Sequence, residues 1–124
     1  MDKDSGSTRF EKLDVWSRAK DLSLEIYQLT SGGPFARDWG LREQIRKAAV
    51  SIPSNIAEGQ GRFGIKEFRN FLSIANGSTY EVITQIHIAR DLKYITPAKA
   101  KDLIAKYTIV SRMIKSLRKQ INCF

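Results

Sequence analysis

Apolar residues recur at steps of three and four along four separate stretches of this chain of 124 residues. This spacing follows the turn of an α-helix, so each stretch presents one apolar face to a core. No segment shows the sustained alternation of apolar and polar residues that is typical of a half-buried strand. The sequence therefore predicts an all-α protein. Its predicted core residues are Val15, Trp16, Ala19, Leu22, Ile26 and Leu29 in the first stretch, Leu41, Ile45, Ala48, Ile52 and Ile56 in the second, Phe68, Phe71, Leu72, Ala75, Thr79, Val82, Ile86 and Ala89 in the third, and Leu103, Tyr107, Val110, Ile114, Leu117 and Ile121 in the fourth.

Turn and capping residues set the limits of the first two helices. The first is predicted from about Glu11 to Thr30. Ser31-Gly32-Gly33-Pro34 then stops it, because glycine supplies a left-handed C′ conformation and proline blocks continuation. Asp38 is a suitable N-cap for the second helix, which ends at Gly59, and a glycine-rich connection continues to Gly64.

Proline at position 53 lies inside the second predicted helix, where it removes a backbone hydrogen bond. The apolar spacing nevertheless continues through Ile56 to Gly59, which favours one proline-kinked helix over two separate ones. The kink leaves the carbonyl of Ala49 without its helical donor, and we expect nearby Ser51 or Asn55 to help satisfy it.

The third helix is predicted from about Ile65 to Leu92. Thr96 and Pro97 then provide an N-cap and a first helical residue for the fourth. Helices joined by short connections pack antiparallel to their neighbours. The sequence therefore predicts an antiparallel up-down-up-down four-helix bundle over residues 10–124, preceded by a mobile polar tail over residues 1–9.

Basic residues outnumber acidic ones by 21 to 13, which gives a formal net charge of +8 at pH 7. This balance favours anionic partners such as RNA, DNA or acidic protein surfaces. No run of about 18 apolar residues occurs, so no membrane span or membrane partner is expected. Met1–Thr8 lacks the apolar segment of a secretory signal, and the single cysteine, Cys123, cannot form an internal disulfide. We therefore expect a cytoplasmic protein.

Residue types that carry catalysis or bind metals are sparse. His87 is the only histidine, and Glu58 and Glu81 lack the Glu-x-x-His spacing of di-iron bundles. Gly59-x-Gly61-x-x-Gly64 formally matches a dinucleotide fingerprint, but it follows a predicted helix instead of a strand. An enzyme would depend only on the polar groups of Asn55, Glu58 and Glu81. We therefore expect no enzyme active site, no metal and no cofactor.

A polar stripe lies beside the apolar face of the second predicted helix and continues on the third. Gly77 lies in the middle of the third helix, where glycine costs roughly 1 kcal/mol relative to alanine and often marks close approach by another helix. The stripe is either a binding groove between the two helices or a buried network that fixes helix register. Its residues are Gln44, Ser51, Asn55 and Glu58, then Ser73, Gly77, Ser78 and Glu81.

Basic side chains form three clusters with helical spacing. Laterally spread positive charge of this kind suits phosphate backbones and gives affinity without sequence specificity, whereas the alternative is a solvated helix face. Phe63 and Tyr94 are candidates for stacking on unpaired bases. The clusters are Arg112, Lys115, Arg118 and Lys119, extended toward the start of the fourth helix by Lys99, Lys101 and Lys106; Arg62, Lys66 and Arg69; and Arg42, Arg46 and Lys47.

Three motifs together resemble a known family over nearly the whole chain, from Phe10 to Ile121. They are Leu13-x-Val15-Trp16; Gln44-Ile45-Arg46-x-Ala48-x-x-Ser51-Ile52-Pro53-x-Asn55-Ile56-Ala57-Glu58-Gly59; and Glu67-Phe68-x-x-Phe71-Leu72-x-Ile74-Ala75-x-Gly77-Ser78. The family is that of the small four-helix-bundle proteins encoded in intervening sequences of bacterial large-subunit (23S) ribosomal RNA genes. It differs from this sequence at Gly64, where the family more often has a serine-like cap.

The resemblance implies a closed homo-oligomer, often a pentamer. Proteins of this family are similar to the accessory protein of diversity-generating retroelements, which binds nucleic acid and a reverse transcriptase through a basic surface. We assign the matching motif residues, together with Glu81, to structure and assembly. They are Gln44, Arg46, Ser51, Pro53, Asn55, Glu58, Gly59, Gly77, Ser78 and Glu81.

Two functional hypotheses follow. In the first, a non-enzymatic, basic oligomer holds RNA or DNA backbones, chiefly through Arg112, Lys115, Arg118 and Lys119, with Arg62, Lys66 and Arg69 as a second patch. In the second, the oligomer is a protein-interaction scaffold, for example a partner of a reverse transcriptase, and its charge serves only solubility. Salt-sensitive binding to nucleic acid distinguishes the first hypothesis from the second.

Overall fold

The computed structural model describes residues 10, 13–62 and 64–121. These residues form five helices: α1 Asp14–Leu29, α2 Gly33–Arg37, α3 Trp39–Gln60, α4 Ile65–Asp91 and α5 Pro97–Gln120. The predicted all-α class is confirmed, and the described ranges contain no strand. The predicted tail over residues 1–9, the predicted helix start at Glu11, and the side chains of Phe63 and Cys123 lie outside the described residues.

The predicted count of four helices is wrong by one, because the short helix α2 lies in the connection that was expected only to stop α1. Pro34 stands in its first turn, where the fixed φ of proline favours a helix start. Phe35 is buried, and its ring packs 5.4 Å from that of Tyr94, which anchors the short helix to the core. Gly33 has a φ of +65°, so the left-handed residue is the first of α2 and not the C′ residue of α1.

The capping residues predicted for two of the long helices are confirmed. Asp38 Oδ1 accepts a hydrogen bond of 3.1 Å from the backbone N–H of Leu41 at the start of α3. Thr96 Oγ1 accepts one of 3.1 Å from the N–H of Lys99 at the start of α5. Asp38 also accepts a bond from the Tyr94 hydroxyl, and these bonds lower the pKa of the Asp38 carboxyl, the backbone bond most strongly.

Helix α3 contacts both α1 and α4, and α5 contacts both α4 and α1. Along the α3–α4 pair, Asp38 meets Tyr94 at 2.8 Å while Ser51 meets Ser78 at 2.9 Å. Residue numbers therefore rise along α3 as they fall along α4, so the two helices run in opposite directions. These pairings place the motif over residues 44–59, on α3, directly against the middle of α4.

The predicted apolar faces form the core. Most predicted positions are buried, and those near helix ends are half-buried, namely Trp16, Leu29, Leu41, Phe68, Phe71, Leu117 and Ile121. Tyr107 is completely buried, and this burial raises the pKa of its hydroxyl well above the usual range. Its hydroxyl oxygen has no hydrogen-bond partner among the described residues.

Helix α3 continues without interruption through Pro53, as predicted. The predicted partners of the Ala49 carbonyl are wrong. That carbonyl accepts a hydrogen bond of 3.1 Å from the hydroxyl of Ser23 on α1. Asn55 instead donates to the carbonyl and the hydroxyl of Ser51, at 2.8 and 2.9 Å. Because Ser23 and Ala49 are both buried, the missing backbone donor is replaced from a neighbouring helix and not from within α3.

Two glycines of the motifs have surroundings that the sequence spacing did not predict. Gly59 lies inside α3 and is buried, where a Cβ would stand 2.6 Å from Phe71 Cβ and 3.1 Å from Phe68 Cδ1. It therefore permits close approach of α3 and α4. Gly77, which was expected to mark such an approach, is exposed, and a Cβ there would have no heavy atom within 4 Å.

Candidate nucleic-acid interface

Two of the predicted basic clusters meet where the start of α4 lies beside the end of α5. Arg69 Nη1 donates to the carbonyl of Arg118 at 3.1 Å, and Arg118 Nε donates to the carbonyl of Arg69 at 3.2 Å. These reciprocal bonds join residues 49 positions apart in sequence. The α4/α5 basic surface is the area formed by the seven predicted side chains, Arg62, Lys66, Arg69, Arg112, Lys115, Arg118 and Lys119.

Three of the seven basic side chains donate hydrogen bonds to a carbonyl or a carboxylate of the protein. Arg69 and Arg118 are half-buried and tie α4 to α5 through their bonds to backbone carbonyls. Arg62 donates to one oxygen of Glu58 from two nitrogens, at 3.1 and 2.8 Å, and its guanidinium lies 5.1 Å from the Phe71 ring centroid. A guanidinium carries five N–H donors, so each of these arginines still has donors beyond its internal bonds.

The other four side chains, Lys66, Arg112, Lys115 and Lys119, are exposed. Within the ranges that the structure covers, no carboxylate lies within 4.0 Å of their charged nitrogens. Their charge is therefore not neutralised by an ion pair with a described acidic residue. Exposed cations of this kind attract phosphate groups, and salt screens the attraction.

An exposed tyrosine that the sequence analysis missed lies at the edge of this surface. The ammonium of Lys115 is 5.4 Å from the ring centroid of Tyr80. Ser111 donates to Asn76 Oδ1 at 2.7 Å and thereby links α5 to α4 beside the ring. Hydrogen bonds to the Tyr80 hydroxyl lower its pKa to about 8, with the largest effect from Lys115 and smaller ones from Ser111 and Asn76. Spacing within one helix could not indicate this group, because Asn76 and Tyr80 lie on α4 whereas Ser111 and Lys115 lie on α5.

Of the two aromatic residues predicted to accompany the basic patches, only Tyr94 is among the described residues. Phe63 lies outside the described ranges. Tyr94 follows the end of α4 and therefore lies at the opposite end of that helix from Lys66 and Arg69. Its hydroxyl donates to Asp38 and its ring packs on Phe35, so it has a structural role at that end.

The third predicted basic cluster joins helices within the protein. Arg46 Nε donates to Thr30 Oγ1 at 2.7 Å, and the Arg46 guanidinium lies 4.4 Å from the ring centroid of Tyr27. Arg42 donates to the carbonyl of Ala36 at 3.2 Å and pairs with Glu43. These bonds attach α3 to α1 and to the α2 segment, which agrees with a structural role for Arg46.

The polar stripe on α3 and α4 divides into two parts. Ser51, Ser78 and Asn55 form a hydrogen-bonded network in which Ser78 is buried and the other two are half-buried. Next to the network is an open cleft of about 280 Å³. The cleft is lined by Gln44, Lys47, Ala48, Ser51 and Glu81.

The remaining members of the stripe do not join either part. Glu58 is exposed and pairs with Arg62, Ser73 is exposed, and Gly77 faces open space. The polar groups of Asn55, Glu58 and Glu81 therefore have separate surroundings: the serine network, the Arg62 ion pair and the cleft.

Two kinds of site are absent from the described part of the chain. No group of three or more histidine, cysteine, aspartate or glutamate side chains is placed to hold a metal ion there. None of the helices in these ranges combines the length and the apolar character needed to cross a membrane.

Comparison with known proteins gives a family match and a structural match. A model of the family described as 23S rRNA-intervening sequence protein matches residues 11–116. A crystal structure of a protein of unknown function from the S23 ribosomal protein family of Bacteroides thetaiotaomicron matches with a TM-score of 0.79 and 20% sequence identity. The match covers 85% of this chain and 95% of that chain, and at this identity it shows a shared fold. No curated protein matches the chain.

Proposed function

We propose a non-enzymatic function for this chain, which belongs to the 23S rRNA-intervening sequence protein family. In this function the chain is an accessory protein that binds RNA or DNA backbones through the α4/α5 basic surface. The observation that carries the proposal is the junction of two basic clusters through the reciprocal bonds of Arg69 and Arg118. That junction adds the exposed charge of Lys66 on α4 to that of Arg112 and Lys119 on α5.

The charge pattern around this junction supports a polyanionic ligand. From Leu103 to Gln120 the chain contains no acidic residue. Acidic residues contact α5 nearer its start, where Lys99 and Lys106 pair with Asp102 and with Glu25 of α1. An excess of positive charge attracts a phosphate backbone, and binding releases counterions from that backbone, so the affinity depends steeply on salt.

Reversing two exposed charges tests the nucleic-acid proposal. The double variant Arg112→Glu, Lys119→Glu should bind structured RNA and duplex DNA about tenfold more weakly, because two phosphate contacts are lost. The slope of log affinity against log salt should become shallower by about 2 for duplex DNA. Fluorescence anisotropy across a salt titration measures both quantities. Lys115, Arg69 and Arg118 stay native because they have partners within the protein.

The matched control is Arg37→Glu, Lys93→Glu, which makes the same change in net charge at exposed positions outside the surface. This control should retain the slope of the native protein and most of its affinity. If both double variants lost the same amount of affinity, the loss would come from the change in net charge and not from the α4/α5 basic surface. An unchanged slope in the Arg112 and Lys119 variant would remove the α4/α5 basic surface as the binding site.

The second candidate function is a protein-interaction scaffold, for example for a reverse transcriptase, without direct binding to nucleic acid. Two features favour it. An open cleft is lined by Gln44, Ser51 and Glu81. Two apolar residues, Ile74 and Ile88, are exposed on α4, the helix that carries Glu81. This function predicts partner capture that survives moderate salt. Absence of any binding to RNA or DNA at low salt would leave the basic charge as a solubility feature and favour the scaffold.

We also propose that the four long helices form an antiparallel up-down-up-down four-helix bundle that assembles into a homo-oligomer, a pentamer as the family resemblance implies. A cytoplasmic location belongs to the same proposal. Three exposed apolar residues of α4, Ile74, Ile88 and Leu92, support assembly because their spacing places them on one face of the helix. Burial of such a face against another copy would remove apolar area from water.

Sedimentation equilibrium tests the assembly proposal. The native chain should sediment as a closed oligomer, and a mass of five chains is the expected value. The double variant Ile74→Glu, Ile88→Glu should shift the mass toward the monomer, because it places charge on the apolar face of α4. Ile109→Glu, at a similarly exposed position on α5, is the control and should retain the native mass. A monomeric native protein across the concentration range would contradict the proposal.

A further inference from the structure

We infer that Tyr80 is a stacking platform for an unpaired base, so that the α4/α5 basic surface prefers single-stranded to double-stranded nucleic acid. The inference rests on the proposed function and specifies the class of nucleic acid. It is carried by an exposed ring at the contact between α4 and α5, next to a lysine without a described acidic partner.

The position of the Tyr80 ring suits stacking. The residue is 47% exposed, although its neighbours along α4, Ser78 and Thr79, are buried. The bond of 2.7 Å from Ser111 to Asn76 connects α5 to α4 next to the ring. The Tyr80 hydroxyl is hydrogen-bonded to Ser111 and Asn76, so the side chain is already restrained and less freedom is lost when a base stacks on the ring.

Charge near the ring complements a nucleotide. The Lys115 ammonium lies over the ring, 5.4 Å from its centroid. Because the lysine side chain is flexible, it can leave the ring face and contact the phosphate of a base that stacks there. Arg112 is exposed on the next turn of α5. Hydrogen bonds from Lys115, Ser111 and Asn76 lower the pKa of the Tyr80 hydroxyl to about 8, so the neutral phenol predominates at pH 7.

Other exposed aromatic residues lack one of these properties. The ring of Tyr27 also has a cation over it at 4.4 Å, but this cation, Arg46, is fixed there by hydrogen bonds to Thr30 Oγ1 and to the Tyr27 carbonyl and cannot turn toward a phosphate. Trp39 is 67% exposed, but it begins α3 and its nearest cation, Arg42, pairs with Glu43. Neither ring lies on the α4/α5 basic surface, whereas Tyr80 does.

Stacking distinguishes the two forms of nucleic acid. In a duplex each base already has its faces covered by neighbouring base pairs, so a side chain on the protein surface contacts only backbone and groove. A single strand offers free base faces, and stacking on an aromatic side chain contributes binding energy that depends little on sequence. The basic side chains hold the backbone of either form.

The test compares Tyr80→Ala with the native protein on three labelled probes of about 15 nucleotides: oligouridylate, oligothymidylate and a DNA duplex. Because the variant loses stacking on one base, its affinity for both single strands should fall about tenfold. Its affinity for the duplex should fall less than twofold. Tyr80→Phe and Tyr80→Trp should retain native affinity, because both preserve the ring. Thermal unfolding by circular dichroism checks that each variant is folded. A loss on one single strand alone would show whether the strand is RNA or DNA.

Trp39→Ala is the control for loss of an exposed aromatic residue away from the surface, and it should leave all three affinities unchanged. An equal loss on duplex and single strands in Tyr80→Ala, or a similar loss in Tyr80→Phe, would overturn the inference. In that case, salt-dependent binding that falls in the Arg112→Glu, Lys119→Glu variant would still support the proposed function. A native protein that binds none of the probes at low salt would overturn both.

Discussion

Replacing Gly59 with alanine should lower the free energy of unfolding by about 1–3 kcal/mol, as overpacking in a core typically does. The new Cβ would stand 2.6 Å from Phe71 Cβ, an atom attached directly to the backbone of α4. A flexible side chain could turn away, but Phe71 Cβ cannot move unless the two helices separate. Urea unfolding, followed by circular dichroism, measures the change.

Gly77→Ala is the matched control, since it makes the same substitution in the neighbouring helix. A Cβ at Gly77 meets no heavy atom within 4 Å, so only the helix preference of alanine acts, and stability should rise by roughly 1 kcal/mol. Opposite signs for the two variants are the expected result. Stabilisation by Gly59→Ala would contradict close packing of α3 against α4 at this position.

Replacing Ser23 with alanine should also lower the free energy of unfolding by about 1–3 kcal/mol, the cost of leaving a buried polar group without a partner. Ser23 donates to the Ala49 carbonyl at 3.1 Å, and Pro53 has no N–H with which to replace that bond. The hydroxyl also contacts the carbonyl of Ala19 at 3.0 Å, but Ala19 has an ordinary helical donor four residues later. The measurement is again urea unfolding.

A double-mutant cycle identifies the cause of the loss. In a Pro53→Ala background the backbone N–H at position 53 can bond to the Ala49 carbonyl, so Ser23→Ala should cost less than about 1 kcal/mol. Ser54→Ala, at an exposed position of the same helix, should change stability by no more than about 0.5 kcal/mol. The same loss from Ser23→Ala in both backgrounds would show that the Ala49 carbonyl is not its source.

The candidate interface was only partly accessible to sequence reasoning. Helical spacing grouped Arg62 with Lys66 and Arg69, and Arg112 with Lys115, because residues on one turn of a helix share a face. Spacing could not show that the two groups adjoin, since that depends on the pairing of α4 with α5. Tyr80 was missed for the same reason: Lys115 and Ser111, which accompany it, lie on the other helix.

The chain alone determined its all-α class, its buried faces, and the N-caps Asp38 and Thr96, because these depend on interactions among residues three or four positions apart. Tertiary packing decided what those helices bring together. It brought the Ser23 hydroxyl to the Ala49 carbonyl, 26 positions away, and Arg69 to Arg118, 49 positions away. It also decided that Gly59, and not Gly77, is the glycine at a close approach. The spacing of apolar residues determines which face of a helix is buried. It does not determine which helix packs against that face, because several helices have the same spacing.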